Sequence, residues 1–249
     1  MKPQSTEKLQ KVLARAGFGS RREMETWIQT GRVKVNQQIA TLGDRVCATD
    51  SIKVDGRKLS STALIEQARQ IICYHKPVGE ICTRNDPEGR TTIFKRLPVL
   101  TNGRWINVGR LDFNTSGLIL LTNDGNLANL LMHPSSGIER EYAVRILGEV
   151  NNNMLQRLRD GVELEDGKAC FTDIQIAGGK GANHWYNVTL TEGRKHEVHR
   201  LWESQGVRVS RLIRIRFGPV ILPKNLRAGQ NIKLDNPSQQ KLLRSVDIK

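Results

Sequence analysis

Leu9, Val12, Leu13 and Ala16 fall at i, i+3, i+4 and i+7, the spacing of one apolar helix face, and Gly17 ends the pattern. Ser20-Arg21-Arg22-Glu23 then reads as a capping box, in which Ser20 accepts from the Glu23 amide and Glu23 reaches back. The pattern predicts a second short helix that buries Met24, Trp27 and Ile28 and stops at Gly31. Arg32-Val33-Lys34-Val35 alternates as a half-buried strand does, and Ile52 to Gly56 predicts a further strand and turn. Residues 6–59 therefore read as a small module of helices and strands. Residues 60–69 are polar and alanine-bearing, and read as a linker.

Residues 70–246 mix many strand-like runs with few helices. Strands are expected at Ile71–His75, Leu118–Thr122, Tyr142–Ile146, Trp185–Leu190 and Leu212–Phe217. Helices are expected at Asn126–His133, Asn153–Asp160 and Glu197–Gln205, the last two ending at Gly161 and Gly206. This order is not a regular strand–helix alternation. It predicts an α+β fold, with a mixed, mainly antiparallel sheet and helices against it.

The charge changes the picture more than the composition does. The chain of 249 residues carries a net charge of +14, which favours a polyanionic partner. Residues 1–58 hold twelve Lys and Arg against six Asp and Glu. Lys8, Lys11 and Arg15 fall on neighbouring helical turns, and Arg21 and Arg22 open the next helix, so one basic face is expected. No apolar run is long enough for a membrane span, and residues 1–9 lack a signal-peptide core; the expected location is the cytoplasm. Cys47, Cys73, Cys82 and Cys170 are scattered and the histidines supply no matching cluster, so no zinc site is expected.

The chemistry concentrates in Gly109-Arg110-Leu111-Asp112-Phe113-Asn114-Thr115-Ser116-Gly117, followed by the apolar run Leu118–Leu121 and by Thr122-Asn123-Asp124-Gly125. Asp112 lies in a polar loop leading into a buried strand. Thr115, Ser116 and Gly117 are expected to form a tight turn, and Asp124 to cap the next helix. A carboxylate on such an edge beside Arg110 suits a nucleophile or a base, or a structural role capping the turn. Tyr142 by itself reads as a strand tyrosine with its ring in the core. Arg214 and Arg216, alternating with Ile213 and Ile215, read either as a solvent face or as an RNA-facing strip.

Two sets of motifs resemble known families. Glu7 to Gly17, Ser20-Arg21-Arg22 and Gly31 to Asn36 resemble an S4 RNA-binding domain, which implies RNA contacts from Lys8, Lys11, Arg15, Arg21, Arg22, Arg32 and Lys34. Lys76-Pro77-Val78-Gly79, the Gly109–Gly125 stretch, Arg140-Glu141-Tyr142-Ala143-Val144 and Thr191 to Arg200 resemble, in order, the motifs of pseudouridine synthases that carry an N-terminal S4 domain. The resemblance implies that Asp112 is the catalytic residue and that Tyr142 stacks on the target base. It also places Arg110 to hold RNA or steer a phosphate, Arg194 and Arg200 on RNA, and His199 at the basic position that pairs with the carboxylate. That position is usually Arg or Lys, which leaves the pairing role open between His199 and a neighbouring arginine. Cys82 to Arg90, Trp185 to Arg194 and Val209 to Arg216 are most similar to the subgroup that modifies a uridine in domain V of large-subunit ribosomal RNA. The implied reaction detaches uracil from its sugar at N1 and rejoins it at C5, and requires no metal or cofactor. The expected partner is ribosomal RNA and the expected state a monomer. Two rivals stand beside this reading: a non-catalytic RNA-binding or ribosome-assembly factor, and an S4-bearing methyltransferase. The latter needs a glycine-rich cofactor loop, and Gly178-Gly179-Lys180-Gly181 reads as an ordinary loop.

Overall fold

The computed structural model describes residues 6–60, 68–181 and 183–248. The chain forms two compact units. The first is residues 1–70 with 98–106 and 123–125; the second is the remainder.

In the first unit, β1 (Glu7–Lys8) leads into α1 (Leu9–Arg15), and α2 (Arg21–Gln29) follows. Both arms of the capping box form: the Glu23 amide donates to Ser20 Oγ at 3.0 Å, and the Ser20 amide to Glu23 Oε2 at 3.2 Å. Strands β2 (Val33–Val35), β3 (Gln38–Ile39), β4 (Arg45–Val46), β5 (Ile52–Val54) and β6 (Arg57–Lys58) follow. The sheet order is β3-β2-β5-β6, and β4 pairs with β1. Leu9, Val12, Leu13, Met24, Ile28, Val33, Val46, Ile52 and Val54 form one core between helices and sheet. Trp27 differs from expectation: it is only partly buried, and its outer face is covered by the Arg32 guanidinium, 3.8 Å from the ring centre. The predicted linker falls largely on residues 61–67, outside the described residues. Its last residues are tied down, since Arg69 Nε meets Asp124 Oδ2 at 2.9 Å and the Gln70 amide donates to Asn123 Oδ1 at 2.8 Å.

The second unit is built on β7 (Ile71–Lys76), β8 (Ile106–Val108), β9 (Ser116–Thr122), β10 (Arg140–Leu147), the hairpin β11 (Val162–Leu164) and β12 (Gly167–Ala169), β13 (Asp173–Lys180), β14 (Asn183–Leu190), β15 (Arg208–Phe217), β16 (Val220–Ile221) and β17 (Asn231–Lys233). Its large sheet runs β13-β14-β10-β15-β9-β7-β17, with β8 on β9 and β16 on β15. Along that order only β15–β9 is parallel. All seven residues of β9 are buried, which is why this central strand reads as an apolar run rather than an alternation. The α-helices are α3 (Gly125–Met132), α4 (Asn152–Asp160), α5 (Glu197–Glu203) and α6 (Asn236–Arg244). Leu155 and Leu158 of α4, with Val198, Leu201 and Trp202 of α5, form a core with Val144, Ile146, Tyr186, Val188 and Leu212 of the sheet.

Two local expectations are corrected. The turn before β9 is made by residues 112–115, with the Thr115 amide on the Asp112 carbonyl at 3.0 Å, while Ser116 and Gly117 already belong to the strand. Gly117 has φ +110°, and a Cβ there would lie 2.3 Å from the Arg214 carbonyl oxygen, so the close approach of β9 and β15 admits only glycine. Gly178 and Gly179 lie inside β13, at an irregularity of an edge strand, rather than in a loop.

Candidate active site

β7 is the base of the site. Its last residue, Lys76, has no exposed surface, although an ammonium in a core is costly. All three of its protons are used. Nζ donates to the carbonyls of Thr115 at 2.8 Å, Asp112 at 3.0 Å and Pro77 at 3.0 Å. The loop before β9 is thus wrapped around a buried cation. Burial pulls the lysine pKa below its ordinary value, while the Cys82, Glu80 and Asp112 side chains oppose that fall. Two further ties fix the loop. The Gly79 amide donates to the Phe113 carbonyl at 3.0 Å, and the Leu111 amide to Cys82 Sγ at 3.4 Å. Burial pushes the Cys82 thiol up.

This clamping acts on the backbone and leaves the Asp112 side chain 50% exposed. Among the described residues the basic side chain within 4 Å of it is that of His196, whose Nε2 lies 3.7 Å from Oδ1. His196 has φ 52° and starts α5. Arg110 is exposed and makes no ion pair with Asp112. His199 is half-buried one turn further on, its ring centre 6.1 Å from that of His196. Burial pulls the His199 pKa below its ordinary value, against the raising influence of Glu203 and Asp112. Its Nδ1 is buried with no hydrogen-bond partner among the described residues.

Tyr142 sits on β10 directly opposite Arg214 on β15, half-buried at the edge of the core. Arg214 is 2% exposed, and its Nε donates to the Leu118 carbonyl at 2.7 Å. It is neither a solvent-face residue nor a surface RNA contact; it is a buried cation beside β9. Arg216 lies in the sheet row of Glu141 and is held by Glu141 at 2.7 Å and Glu139 at 2.9 Å.

Arg194 and Arg200 are also engaged within the protein. Arg200 grips Asp166 through two hydrogen bonds, 2.7 and 2.9 Å, and holds that carboxyl down at about 2. Arg194 binds Glu192 at 2.9 Å and the carbonyls of Gly167 and Lys168 at 3.0 and 2.9 Å. Together they fasten the β11–β12 hairpin to the segment entering α5. Glu197 completes this knot by accepting the Arg194 amide at 2.9 Å, and burial pushes its carboxyl up to about 7.

In the first unit the expected RNA-binding residues divide in two. Lys11 and Arg15 both pair with Glu7, and Arg32 with Asp55. Lys8, Arg21, Arg22 and Lys34 are exposed and form no ion pair among the described residues.

A family model for the S4 domain matches residues 7–52, and one for RNA pseudouridylate synthase matches residues 70–204. The chain belongs to the RNA pseudouridylate synthase family. It is 57% identical, over 98% of its own length, to the ribosomal large subunit pseudouridine synthase B of Pseudomonas aeruginosa, and spans 63% of that relative. It is 60% identical to the Salmonella typhi protein of the same name, over 92% of this chain and 80% of the other. Among solved structures it is similar to a pseudouridylate synthase crystal structure with TM-score 0.66 and 28% identity, covering 94% of this chain and 99% of that one. No helix among the described residues is long and apolar enough to cross a membrane.

The family motifs contain both Lys76 and His196, but the sequence reading gave neither a role of its own. A lysine closing an apolar strand carries no periodic signal, and the stretch from Thr191 to Arg200 offers several basic residues with nothing to rank them.

Proposed function

We propose that this synthase converts a uridine of large-subunit ribosomal RNA, in domain V, to pseudouridine, with Asp112 as the catalytic carboxylate. The observation that carries this is the loop clamped on Lys76, which fixes the backbone of Asp112 while its side chain stays half exposed. In the reaction the N1–C1′ bond breaks, the uracil turns, and C5 bonds to C1′. The C5 proton leaves and N1 gains one, so the change is an isomerisation. Asp112 assists by attacking the sugar carbon or by removing a sugar proton. Tyr142 supplies the aromatic face for the extruded base, an interaction worth about 1–3 kcal/mol. Extruding that base costs a few kcal/mol, which binding of the surrounding RNA offsets. Arg110, exposed beside the loop, meets a phosphate, and Lys8, Arg21, Arg22 and Lys34 of the S4 unit anchor the RNA. The enzyme works in the cytoplasm as a monomer.

The test is tritium release from ribosomal RNA carrying 5-tritiated uridine. Wild-type protein is expected to release tritium. Asp112→Asn, nearly isosteric but unable to ionise, is expected to bind RNA normally and lose roughly a thousandfold or more in rate. Normal release by the variant overturns the assignment of Asp112. Binding without release by the wild type leaves a non-catalytic RNA-binding protein as the reading.

A further inference from the structure

His196 combines three features. Its backbone lies in the left-handed region, φ 52° and ψ 28°, which residues bearing a Cβ seldom adopt without a reason in the surrounding structure. The segment on either side enforces it. Glu197 accepts the Arg194 amide at 2.9 Å, the Arg194 guanidinium is fastened to the Gly167 and Lys168 carbonyls, and the His196 carbonyl accepts the Arg200 amide at 3.0 Å. The imidazole Nε2 is then 3.7 Å from Asp112 Oδ1, closer than any Lys or Arg nitrogen among the described residues. Lastly, the side chains of both members of the pair are about half exposed, 52% and 50%, so the pair stands at the open side of the site and is not a buried structural bridge. His199 does not share these features, being set back in the protein with an ordinary helical backbone.

We infer that His196 is a positioning residue for the reacting carboxylate: by pairing with Asp112 Oδ1 it sets the orientation of the group and leaves Oδ2 to reach the ribose. The inference rests on the reading of Asp112 as catalytic. In the free protein, solvent screens a half-exposed pair. When bound RNA displaces that water the attraction strengthens, so the contribution falls on turnover rather than on folding or RNA affinity.

His196→Gly removes the imidazole and adopts the left-handed backbone without strain. His196→Asn, also tolerant of that conformation, is the second variant. On 5-tritiated ribosomal RNA both are expected to lose roughly five- to tenfold in kcat with KM changed less than about twofold, the scale of one partly exposed charge pair. Added imidazole is expected to restore much of the rate of His196→Gly and to leave wild type unchanged. A purely structural role gives no such rescue. Wild-type kcat in both variants, a loss that imidazole does not recover, or a loss found in His199→Ala but not at His196 each overturns the inference. Wild-type and Asp112→Asn turnover on the same RNA separate this from the functional reading. If wild type is active, Asp112→Asn is inactive and His196→Gly is unimpaired, only the role of His196 falls.

Discussion

In the S4 unit the exposed cations Lys8, Arg21, Arg22 and Lys34 have no carboxylate within ion-pair distance among the described residues, whereas in the catalytic unit Lys76, Arg194, Arg200, Arg214 and Arg216 all bond to other parts of the chain. The same residue types thus do opposite work. In the first unit they stay exposed without an ion pair among the described residues; in the second they hold loops and strands in place. Net charge alone cannot tell these uses apart, because it counts a guanidinium on Asp166 and a free one equally. The lesson extends within the S4 unit, where Lys11, Arg15 and Arg32 are each matched by an acidic neighbour.

The largest expected effect breaks the internal set at its centre. Lys76→Met removes the donor shared by the Asp112, Thr115 and Pro77 carbonyls and leaves buried acceptors unmet. A loss of about 3 kcal/mol is expected, a drop in melting temperature of roughly 6–12 °C. A melting temperature unchanged by calorimetry rejects the account of the clamp.

The external set is probed by Arg21→Ala with Arg22→Ala. Affinity for ribosomal RNA is expected to fall about tenfold or more at moderate salt. The slope of log K against log salt should shrink by roughly 1.5, with folding unaffected. Titrations at several salt concentrations, with a melting curve alongside, decide it. An unchanged slope shows that these arginines do not meet phosphates.

Glu197 offers a pH test of the knot that holds the segment before α5. The folded pKa is about 7 and the ordinary value 4.5, so between them the folded protein binds more protons than the unfolded chain. Stability therefore falls as pH rises through that window. Glu197→Gln keeps an acceptor for the Arg194 amide and removes the titration. Its urea unfolding free energy is expected to be flatter between about pH 5 and 8, with a relative gain on the order of 1 kcal/mol at the upper end. Parallel curves for the two proteins dismiss the buried carboxyl as the cause.

The smallest effect sharpens the comparison. Arg200→Ala is expected to lower stability only slightly, since the Asp166 pair is solvent-screened, and to leave the RNA salt slope as it was. A reduced slope instead moves Arg200 into the RNA-contacting group, where the sequence motif had put it.

Much of the local architecture was legible before any coordinates. The i, i+3, i+4 spacing of Leu9, Val12 and Leu13, the reciprocal capping of Ser20 and Glu23, and the apolar run that became β9 all mark elements that formed. Helix α6 was passed over although Asp235 caps it, its side chain accepting the Ser238 amide at 2.7 Å. The short strands β11, β12, β16 and β17, each of two or three residues, are too brief for a pattern of period two to show. Strand β13 was obscured by its own glycines, which sit at an edge where the backbone bends.

The sequence by itself determined the longer periodic and capped elements, and the family motifs in it singled out Asp112, because caps, periodicity and motifs are properties of residues close together in the chain. Only the tertiary structure decided which cations serve the fold and which stay free. Lys76 reaches a carbonyl 36 residues away and Arg214 one 96 residues away, and no local pattern encodes those meetings. It also decided that His196 rather than His199 stands beside Asp112. Three residues apart on one segment, one is held in a left-handed turn beside the carboxylate and the other is carried by the helix to a half-buried position one turn on. That difference arises from how the segment is tied to the β11–β12 hairpin, and it separates two histidines that the sequence alone could not rank.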